Sequence, residues 1–295
     1  MKMKKGFFMD YVDLHVHTTA SDGTYSPEEV VKLAKQEGLR AIAITDHDTV
    51  KGLKEASLAG EKYGVEVIPG CELSVEYPHG QMHIVGLWIS KDPKFVAAEL
   101  QFLRDKRHSR NKDIIKKLQN LGIDITYEEV LEIVKNGTTV GRPHIARVLV
   151  KKGVVKDINE AFTKYIGPNG LAYVPKTKFS PKKAIDIIKK EGGLVILAHP
   201  YSLNLGPDAL KDELIRLKGF GLDGMEVYYS EHTPEQERLY LNLCKELGLL
   251  ISGGSDFHGS VKKGIFLGKG KGNLKIPYAL VEKMKEYRRQ KGLGI

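Results

Sequence analysis

Histidine and acidic residues recur at the ends of the apolar runs in this chain. The first run leads into "DLHVHTTASDG", where His15 and His17 are one residue apart. In a β-strand, residues i and i+2 point to the same side, so these two imidazoles would share one face. A single pair of this kind is often a surface accident, and its meaning depends on the rest of the chain.

The same residue types mark the later apolar runs. The further candidate donors are Asp22, in the loop after the first run, and His47, Glu72, His83, His199, Asp256 and His258. In barrels and parallel sheets, the loops after the carboxyl ends of the strands meet on one face, where sites are built. Imidazoles and carboxylates that meet there without thiols suit a multinuclear site for Zn, Mn or Fe. Such ions activate water and hold the oxygens of a phosphoryl group.

The elements that must position these residues are short Val/Ile/Leu-rich runs alternating with helical patterns. This alternation predicts βα units and a largely parallel sheet, in an α/β fold. One helix start is clearly marked in "SPEEVVKLAKQEG", where Ser26 stands at the N-cap position and Pro27 follows it. Glu29 completes the spacing of a capping box, so we expect a helix to begin here.

A segment from about residue 92 to residue 175 interrupts the alternation. It is highly charged, lacks buried-strand runs and has the pattern of several amphipathic helices, among them "TYEEVLEIVKNG" and "RPHIARVLVKKG". We therefore expect a discontinuous barrel formed by residues 10–91 and 176–270. A helical insert over residues 92–175 and a C-terminal helical extension over residues 271–295 complete the predicted organisation.

Composition narrows the class of protein. The chain has 295 residues, 41% of them hydrophobic, and no apolar run of the ~20 residues that a bilayer span needs. The apolar stretch in the start "MKMKKGFFMD" is too short to form the apolar core of a signal peptide. The two cysteines, Cys71 and Cys244, suggest buried thiols rather than a disulfide. We therefore expect a cytoplasmic protein. The net charge of +9 suits a nucleotide or RNA, although a Lys- and Glu-rich composition is also typical of heat-adapted proteins.

Five motifs of the chain resemble those of a known family. The motifs "HVHTTASDG", "ITDHD", "CEL", "AHP" and "GSDFH" occur in the order typical of the PHP family, named for polymerase and histidinol phosphatase domains. The resemblance extends from Asp13 to about Gly268. It implies a distorted (β/α)₇ barrel, similar to a TIM barrel, with a centre of two or three divalent ions.

The resemblance also implies the ligands of three metal positions. The first would be held by His15, His17, Glu72 and Asp256, the second by Glu72, His83 and His199, and the third by Asp22, His47 and His258. Glu72 would bridge the first two. Some family members have histidine at the position of Asp22, so the donor set of the third position differs in this chain.

The element "VGRPHIARVL" resembles one branch of the family, the TrpH-like branch, which acts on nucleotides and short RNA. In that branch the helical insert covers the active site and the Arg-Pro-His element contacts the substrate phosphate. Carried over, these residues are Arg142 and His144. The planar fork of arginine matches phosphate oxygens, while the alternative interpretation is a solvated arginine at a helix start.

The expected activity is metal-dependent hydrolysis of a phosphoester, with a metal-activated hydroxide as nucleophile and no side chain in that role. The resemblance implies 3',5'-bisphosphonucleotides such as adenosine 3',5'-bisphosphate (pAp) as substrates, with 5'-to-3' exonuclease activity on short 5'-phosphorylated RNA as a second activity. We expect no membrane association and no obligate protein partner. Two alternatives stay open: a histidinol-phosphate phosphatase, against which the insert argues, and a non-catalytic, metal-stabilised nucleic-acid-binding module, against which the complete donor set argues.

Overall fold

The computed structural model describes residues 10–133 and 140–294. The chain divides into two compact units, one formed by Met1–Glu99 with Phe179–Ile295 and the other by Leu100–Lys178. Three parts of the predictions lie outside the described residues: the N-terminal nine residues, the end of the helix predicted in "TYEEVLEIVKNG", and Ile295. The covering role predicted for the insert stays a prediction.

The secondary-structure elements are numbered in chain order. The strands are β1 (Val12–Val16), β2 (Ala41–Ile44), β3 (Glu66–Val75), β4 (Met82–Leu87), β5 (Leu194–Leu197), β6 (Gly224–Tyr229) and β7 (Leu250–Gly254). The helices are α1 (Pro27–Gln36), α2 (Leu53–Tyr63), α3 (Lys94–Asn120), α4 (Tyr127–Ile133), α5 (Arg142–Lys151), α6 (Ile158–Ala161), α7 (Pro181–Lys190), α8 (Pro207–Phe220), α9 (Pro234–Leu247) and α10 (Ala279–Gln290). Within the described residues, the strands of the first unit alternate with helices as predicted, except that β4 follows β3 directly.

The strands form one sheet in the order β1-β2-β3-β4-β5-β6-β7. Neighbours are parallel except at β4, which is antiparallel to both β3 and β5. At the edges, the amide of His17 donates to the carbonyl of Phe257 and the amide of Asp256 donates to the carbonyl of His15, both at 2.9 Å. These bonds bring β1 against β7 and nearly close the barrel, which confirms the predicted fold class.

Helix α1 begins where the sequence predicts. The Ser26 hydroxyl accepts a hydrogen bond from the amide of Glu29 at 3.2 Å, and the Glu29 carboxylate accepts one from the amide of Ser26 at 2.7 Å. These reciprocal bonds satisfy two amides that the helix itself leaves without partners. The apolar face of α1, with Val30, Val31 and Ala34, is buried.

The barrel interior is filled by side chains from alternate strand positions and from the C-terminal segment. This core includes Val12, Leu14, Ala41, Ala43, Ile68, Leu87, Ile196, Ile276, Val281 and Met284, all buried. The amide of Val12, at the start of β1, donates to the carbonyl of Ile276 at 2.9 Å. The C-terminal segment therefore lies at the amino ends of the parallel strands, and the opposite end of the barrel carries the polar residues.

Both cysteines are free and buried, as predicted. Burial raises the pKa of both thiols, that of Cys244 to about 12. Over residues 10–133 and 140–294, no helix combines the length and the apolar character that crossing a membrane requires.

The second unit has an apolar core of its own. Buried residues of α3, α4 and α5 and of the segment that follows pack together, including Ile114, Leu118, Val130, Ile145, Leu149 and Ile166. Such a core holds the α5 element, with Arg142 at its first position, in a fixed local structure.

Candidate metal centre

The ends of the strands bring all nine predicted metal ligands into one cluster. His15 lies on β1 and His17 just beyond it, Glu72 lies within β3, and His199 follows β5. His83 stands at the start of β4 rather than at its end, and the antiparallel direction of β4 puts that start beside Glu72. The reversed strand explains why a histidine at the beginning of an apolar run joins donors that lie at the ends of others.

Backbone conformation at the site is specialised. His199 and Asp256 have φ angles of 25° and 56°, in the left-handed region. For residues other than glycine, such conformations cost about 1–3 kcal/mol and tend to occur at functional sites. Next to Asp256, Gly254 passes so close to β1 that a Cβ atom there would lie 2.3 Å from Cβ of His15. Only glycine allows this approach of β7 to β1.

The four residues predicted for the first metal position lie together. Nε2 of His15 is 3.3 Å from Oε2 of Glu72 and 3.7 Å from Oδ1 of Asp256. Nε2 of His17 is 3.3 Å and 3.2 Å from the same two oxygens. Ligands around one tetrahedral ion with bonds of about 2.0–2.1 Å lie roughly 3.3 Å apart, so the spacing of these atoms suits a single ion.

The two oxygens of Glu72 face different histidines. Oε1 is 2.8 Å from Nδ1 of His83 and 3.1 Å from Nε2 of His199, the pair predicted for the second position. Oε2 faces His15 and His17 and is also 2.8 Å from Nδ1 of His47. The carboxylate therefore lies between two groups of imidazoles, as a bridging ligand would.

The residues predicted for the third position form a more open group. Oδ1 of Asp22 is 3.3 Å from Nε2 of His258, and Oδ2 is 3.9 Å from Nε2 of His47. His17 also lies here, because its Nδ1 is 3.8 Å from Asp22. A neutral imidazole has one nitrogen with a free electron pair, so His17 can serve either the first or the third position but not both.

The cluster contains buried atoms that need a partner. Within the described ranges, six of its buried atoms have no hydrogen bond: Nε2 of His15, both ring nitrogens of His17, Nδ1 of His47, Oε2 of Glu72 and Oδ1 of Asp256. These atoms approach one another, but not in the directions that hydrogen bonds require. Buried polar atoms without partners are costly. Divalent cations would satisfy them, and three groups of these residues have the spacing of metal ligands.

The pKa values of Glu72 and His47 also indicate that the cluster can bind a metal ion. Burial by itself would raise the pKa of Glu72, but His47, His15 and His83 hold that pKa well below its ordinary value. Burial would lower the pKa of His47, yet Glu72 and Asp22 raise it to about 9. Without metal, the carboxylates therefore keep a proton on His47 at neutral pH, and a metal ion would take the place of this proton.

A set of neighbouring residues orients the cluster, and the sequence pattern did not reveal their role. The Tyr229 hydroxyl donates to Oδ2 of Asp256 at 2.7 Å, and the ammonium group of Lys262 contacts the same oxygen. Asp46 accepts hydrogen bonds from the amide and the hydroxyl of Thr18 at 2.7 and 2.8 Å, and so fixes the loop that carries Asp22. Tyr229 ends a strand, but no spacing in the sequence distinguishes it from a core residue.

Arg142 and His144 lie in the second unit, at the start of α5. The amide of Gly141 donates to Nδ1 of His144 at 3.1 Å, so the imidazole caps its own helix. One arm of the Arg142 guanidinium donates to the carbonyl of Ile166 at 3.1 Å. Both side chains are partly exposed, and their contact with substrate stays a prediction.

The family model of the PHP domain matches residues 13–172, which is more than half of the chain. This chain belongs to the PHP family. Among curated relatives of this PHP protein, a 5'-3' exoribonuclease of Haemophilus influenzae is 36% identical over 83% of this chain and 89% of its own. A 3',5'-nucleoside bisphosphate phosphatase of Chromobacterium violaceum is 32% identical over 85% of this chain and 88% of its own.

A solved structure from Bifidobacterium adolescentis, named as a proposed metal-dependent phosphoesterase, is 31% identical, with a TM-score of 0.71 over 94% of this chain and 96% of the other. The fold and the family agree with the donor cluster. The PHP protein is a metal-dependent hydrolase of phosphoesters, which confirms the predicted reaction class.

Proposed function

We propose that this PHP protein removes one phosphate from nucleotides that carry two, such as pAp, and that it also digests short 5'-phosphorylated RNA from the 5' end. The proposal depends mainly on the position of the Glu72 carboxylate between two groups of histidines. Its Oε1 faces one pair of histidines, and its Oε2 faces three others. A carboxylate shared in this way is typical of sites with adjacent metal ions, which stabilise the oxygens of a phosphoryl group during displacement.

The donor set supports two or three divalent ions. We assign His15, His17, Glu72 and Asp256 to the first position, Glu72, His83 and His199 to the second, and Asp22, His47 and His258 to the third. Nitrogen and oxygen donors without thiolate favour Mn, Fe or Zn. Because Asp22 is partly exposed, we expect the third position to bind an ion more weakly than the first and second positions do.

When bound, the ions would activate water and neutralise charge on the phosphoryl oxygens. The residues of the chain hold the ligands in place for this task. Tyr229 fixes the orientation of Asp256 through its hydroxyl, and Asp46 fixes the loop of Asp22 through Thr18. We assign Arg142 and His144 to the binding of a substrate phosphate, where a guanidinium fork offers paired hydrogen bonds.

Two properties support nucleotides over other phosphoesters. Relatives more than 30% identical over most of the chain are named as a nucleoside bisphosphate phosphatase and as an exoribonuclease. The chain is also strongly basic, with a net charge of +9, which favours polyanionic substrates. The two free thiols support a reducing, cytoplasmic location.

The test is a side-by-side assay of the Mn-loaded protein on pAp, AMP, histidinol phosphate and a 5'-phosphorylated RNA of a few nucleotides. We expect pAp to have the highest kcat/KM among the three small substrates, and the RNA to be shortened from its 5' end. If histidinol phosphate has the highest kcat/KM, the substrate assignment is wrong although the reaction class stands. Binding of RNA without turnover of any of the four would instead favour the non-catalytic module.

A further inference from the structure

The segment from Phe257 to Val281, which follows β7 in the first unit, carries lysines but no acidic residue. Its lysines are Lys262, Lys263, Lys269, Lys271 and Lys275. The chain as a whole has 37 acidic residues for its 46 lysines and arginines. This segment therefore concentrates positive charge on one part of the first unit.

Phe266 is held at the surface of this segment by an ordered turn. Its amide and carbonyl exchange hydrogen bonds with the carbonyl and amide of Gly270, both at 2.9 Å. Gly270 has a φ of 56°, in the left-handed region, and a Cβ atom there would lie 2.8 Å from Oγ of Ser230. Ile265 and Leu267 are buried, whereas 60% of Phe266 between them is exposed. The backbone therefore exposes an aromatic ring at a position where a folded domain usually has a polar side chain.

The lysines of the segment are available to bind an anion. Lys263 and Lys275 are exposed and form no ion pair within the described residues. The other three lysines pair with carboxylates, namely Lys262 with Asp256, Lys269 with Glu37 and Lys271 with Glu231. Ion pairs at the surface are weak, so Lys269 and Lys271 can exchange a carboxylate for a phosphate at little cost.

The segment begins at the metal centre. Asp256 and His258, two of the proposed metal ligands, lie at its start, and the ammonium group of Lys262 contacts Asp256. Phe266 is eight positions after His258, and a fully extended chain of that length spans at most about 29 Å. An RNA chain that leaves the metal centre can therefore reach the Phe266 ring and the lysines near it.

An exposed aromatic ring among lysines suits single-stranded RNA. The bases of RNA stack on aromatic side chains whatever their identity, and its phosphates bind the cations beside the ring. An acidic peptide would use the lysines but has no need of the ring. A second copy of this basic segment would be repelled by the like charge.

We propose that an RNA whose 5' end lies at the metal centre binds with its downstream nucleotides to an aromatic–basic surface formed by Phe266, Lys263, Lys269, Lys271 and Lys275. The inference rests on the proposed function and adds to it a surface that favours longer substrates. RNA long enough to reach Phe266 gains a stacking contact, whereas pAp, with a single nucleoside, is too short to reach it.

The experiment compares the Mn-loaded, full-length wild type with Phe266→Ala, Phe266→Trp and Lys263→Gln. The control is Leu58→Ala, because Leu58 lies on α2 with an exposure of 58%, close to that of Phe266. Fluorescence anisotropy with a cleavage-resistant phosphorothioate oligouridylate of about ten nucleotides gives the Kd at several salt concentrations. The kcat/KM is measured on pAp and on a 5'-phosphorylated oligouridylate of the same length.

We expect Phe266→Ala to raise the Kd for the oligouridylate about fivefold to 150-fold, the usual effect of losing one base stack. Its kcat/KM should fall on the RNA and stay unchanged on pAp. Phe266→Trp should bind at least as tightly as the wild type, because the larger ring also stacks. Lys263→Gln should reduce the slope of log Kd against log salt by about 0.7, since one phosphate contact is lost, whereas Phe266→Ala should leave that slope unchanged.

The inference fails if Phe266→Ala binds the oligouridylate as the wild type does, if Leu58→Ala loses as much affinity, or if Phe266→Trp shares the loss. It also fails if poly-glutamate displaces the labelled oligouridylate as effectively as unlabelled oligouridylate does, because the surface would then select charge alone. If the wild type hydrolyses neither pAp nor RNA, the proposed function is wrong. The anisotropy measurement then still decides whether the aromatic–basic surface binds RNA.

Discussion

Glu226 accepts a hydrogen bond from Nδ1 of His15 across 3.1 Å, and both side chains are almost fully buried. The other oxygen of Glu226 accepts from the amide of His199 at 2.7 Å. Because an ionised carboxylate can only accept, Nδ1 of His15 carries the proton, and Nε2 keeps the electron pair that a metal ion needs. One carboxylate thus orients two of the proposed metal ligands.

Glu226→Gln should weaken metal binding without unfolding the barrel. The amide can present its NH₂ group to His15 and so select the wrong tautomer, and loss of such an orienting carboxylate typically costs 10–100-fold in metal affinity. Calorimetric titration of the metal-free protein with Mn²⁺ measures the change. Glu231→Gln is the matched control, since Glu231 is an exposed carboxylate nearby that contacts Tyr201 and Lys271. Equal affinities in the wild type and both variants would refute the role of Glu226.

Glu72→Gln should reduce the metal content of more than one position, because each oxygen of Glu72 faces a different group of histidines. We expect a loss of at least one ion per chain and of most phosphoesterase activity, with the far-UV circular dichroism unchanged. Elemental analysis after dialysis gives the stoichiometry. Cys71→Ser, at the preceding and equally buried position, should keep the wild-type metal content, because the thiol has no ligand role.

Metal binding should strengthen as the pH rises from about 6.5 towards 9. In the metal-free protein, the pKa of His47 is raised to about 9 by Glu72, above the ~6.5 of an unperturbed histidine. The ion pair of His47 with Glu72 therefore stabilises the metal-free fold below about pH 6.5, and this contribution is lost as the pH rises through 9. A metal ion competes with the same proton.

Titration with Mn²⁺ in buffers of different ionisation enthalpy measures the protons that metal binding releases. We expect net proton release at pH 7 and a smaller release at pH 9. Metal binding that neither releases protons nor depends on pH would contradict this prediction. Chelation should also lower the Tm, and added Mn²⁺ should restore it, because an ion that binds only the folded state stabilises that state.

Arg142→Ala should weaken substrate binding while the metal content stays at the wild-type level. Loss of one charge-assisted phosphate contact costs roughly 1.5–3 kcal/mol, or about tenfold to 150-fold in kcat/KM. Arg147→Ala, an exposed arginine on the same helix, is the matched control. The kcat/KM on pAp is measured for both variants. Identical values in the two would favour the alternative interpretation, in which Arg142 is a solvated arginine.

The sequence predicts most of the barrel and most members of the donor cluster, because their signals are local. The capping box at Ser26 is encoded within four residues, and the pair His15 and His17 within three. Donor residues at the ends of apolar runs need only the rule that such ends share one face of the sheet. His83 is the exception, since its place depends on the reversed direction of β4, which no local pattern encodes.

The roles of Glu226 and Tyr229 could not be predicted in the same way. Glu226 acts on His15, which is 211 positions away in the chain. Tyr229 acts on Asp256, which is 27 positions away. Such roles depend on three-dimensional neighbours, which the order of residues alone does not specify.

The metal site needs β7 to pack against β1 at Gly254. During synthesis, the site can therefore form only after β7 has been made. Asp256 and His258 follow β7, so a growing chain on the ribosome carries seven of the nine proposed ligands long before the last two emerge. Every residue between His15 and Asp256 must be made before these two side chains can meet. The complete set of proposed ligands therefore exists only after β7, the last strand of the described barrel, has been synthesised.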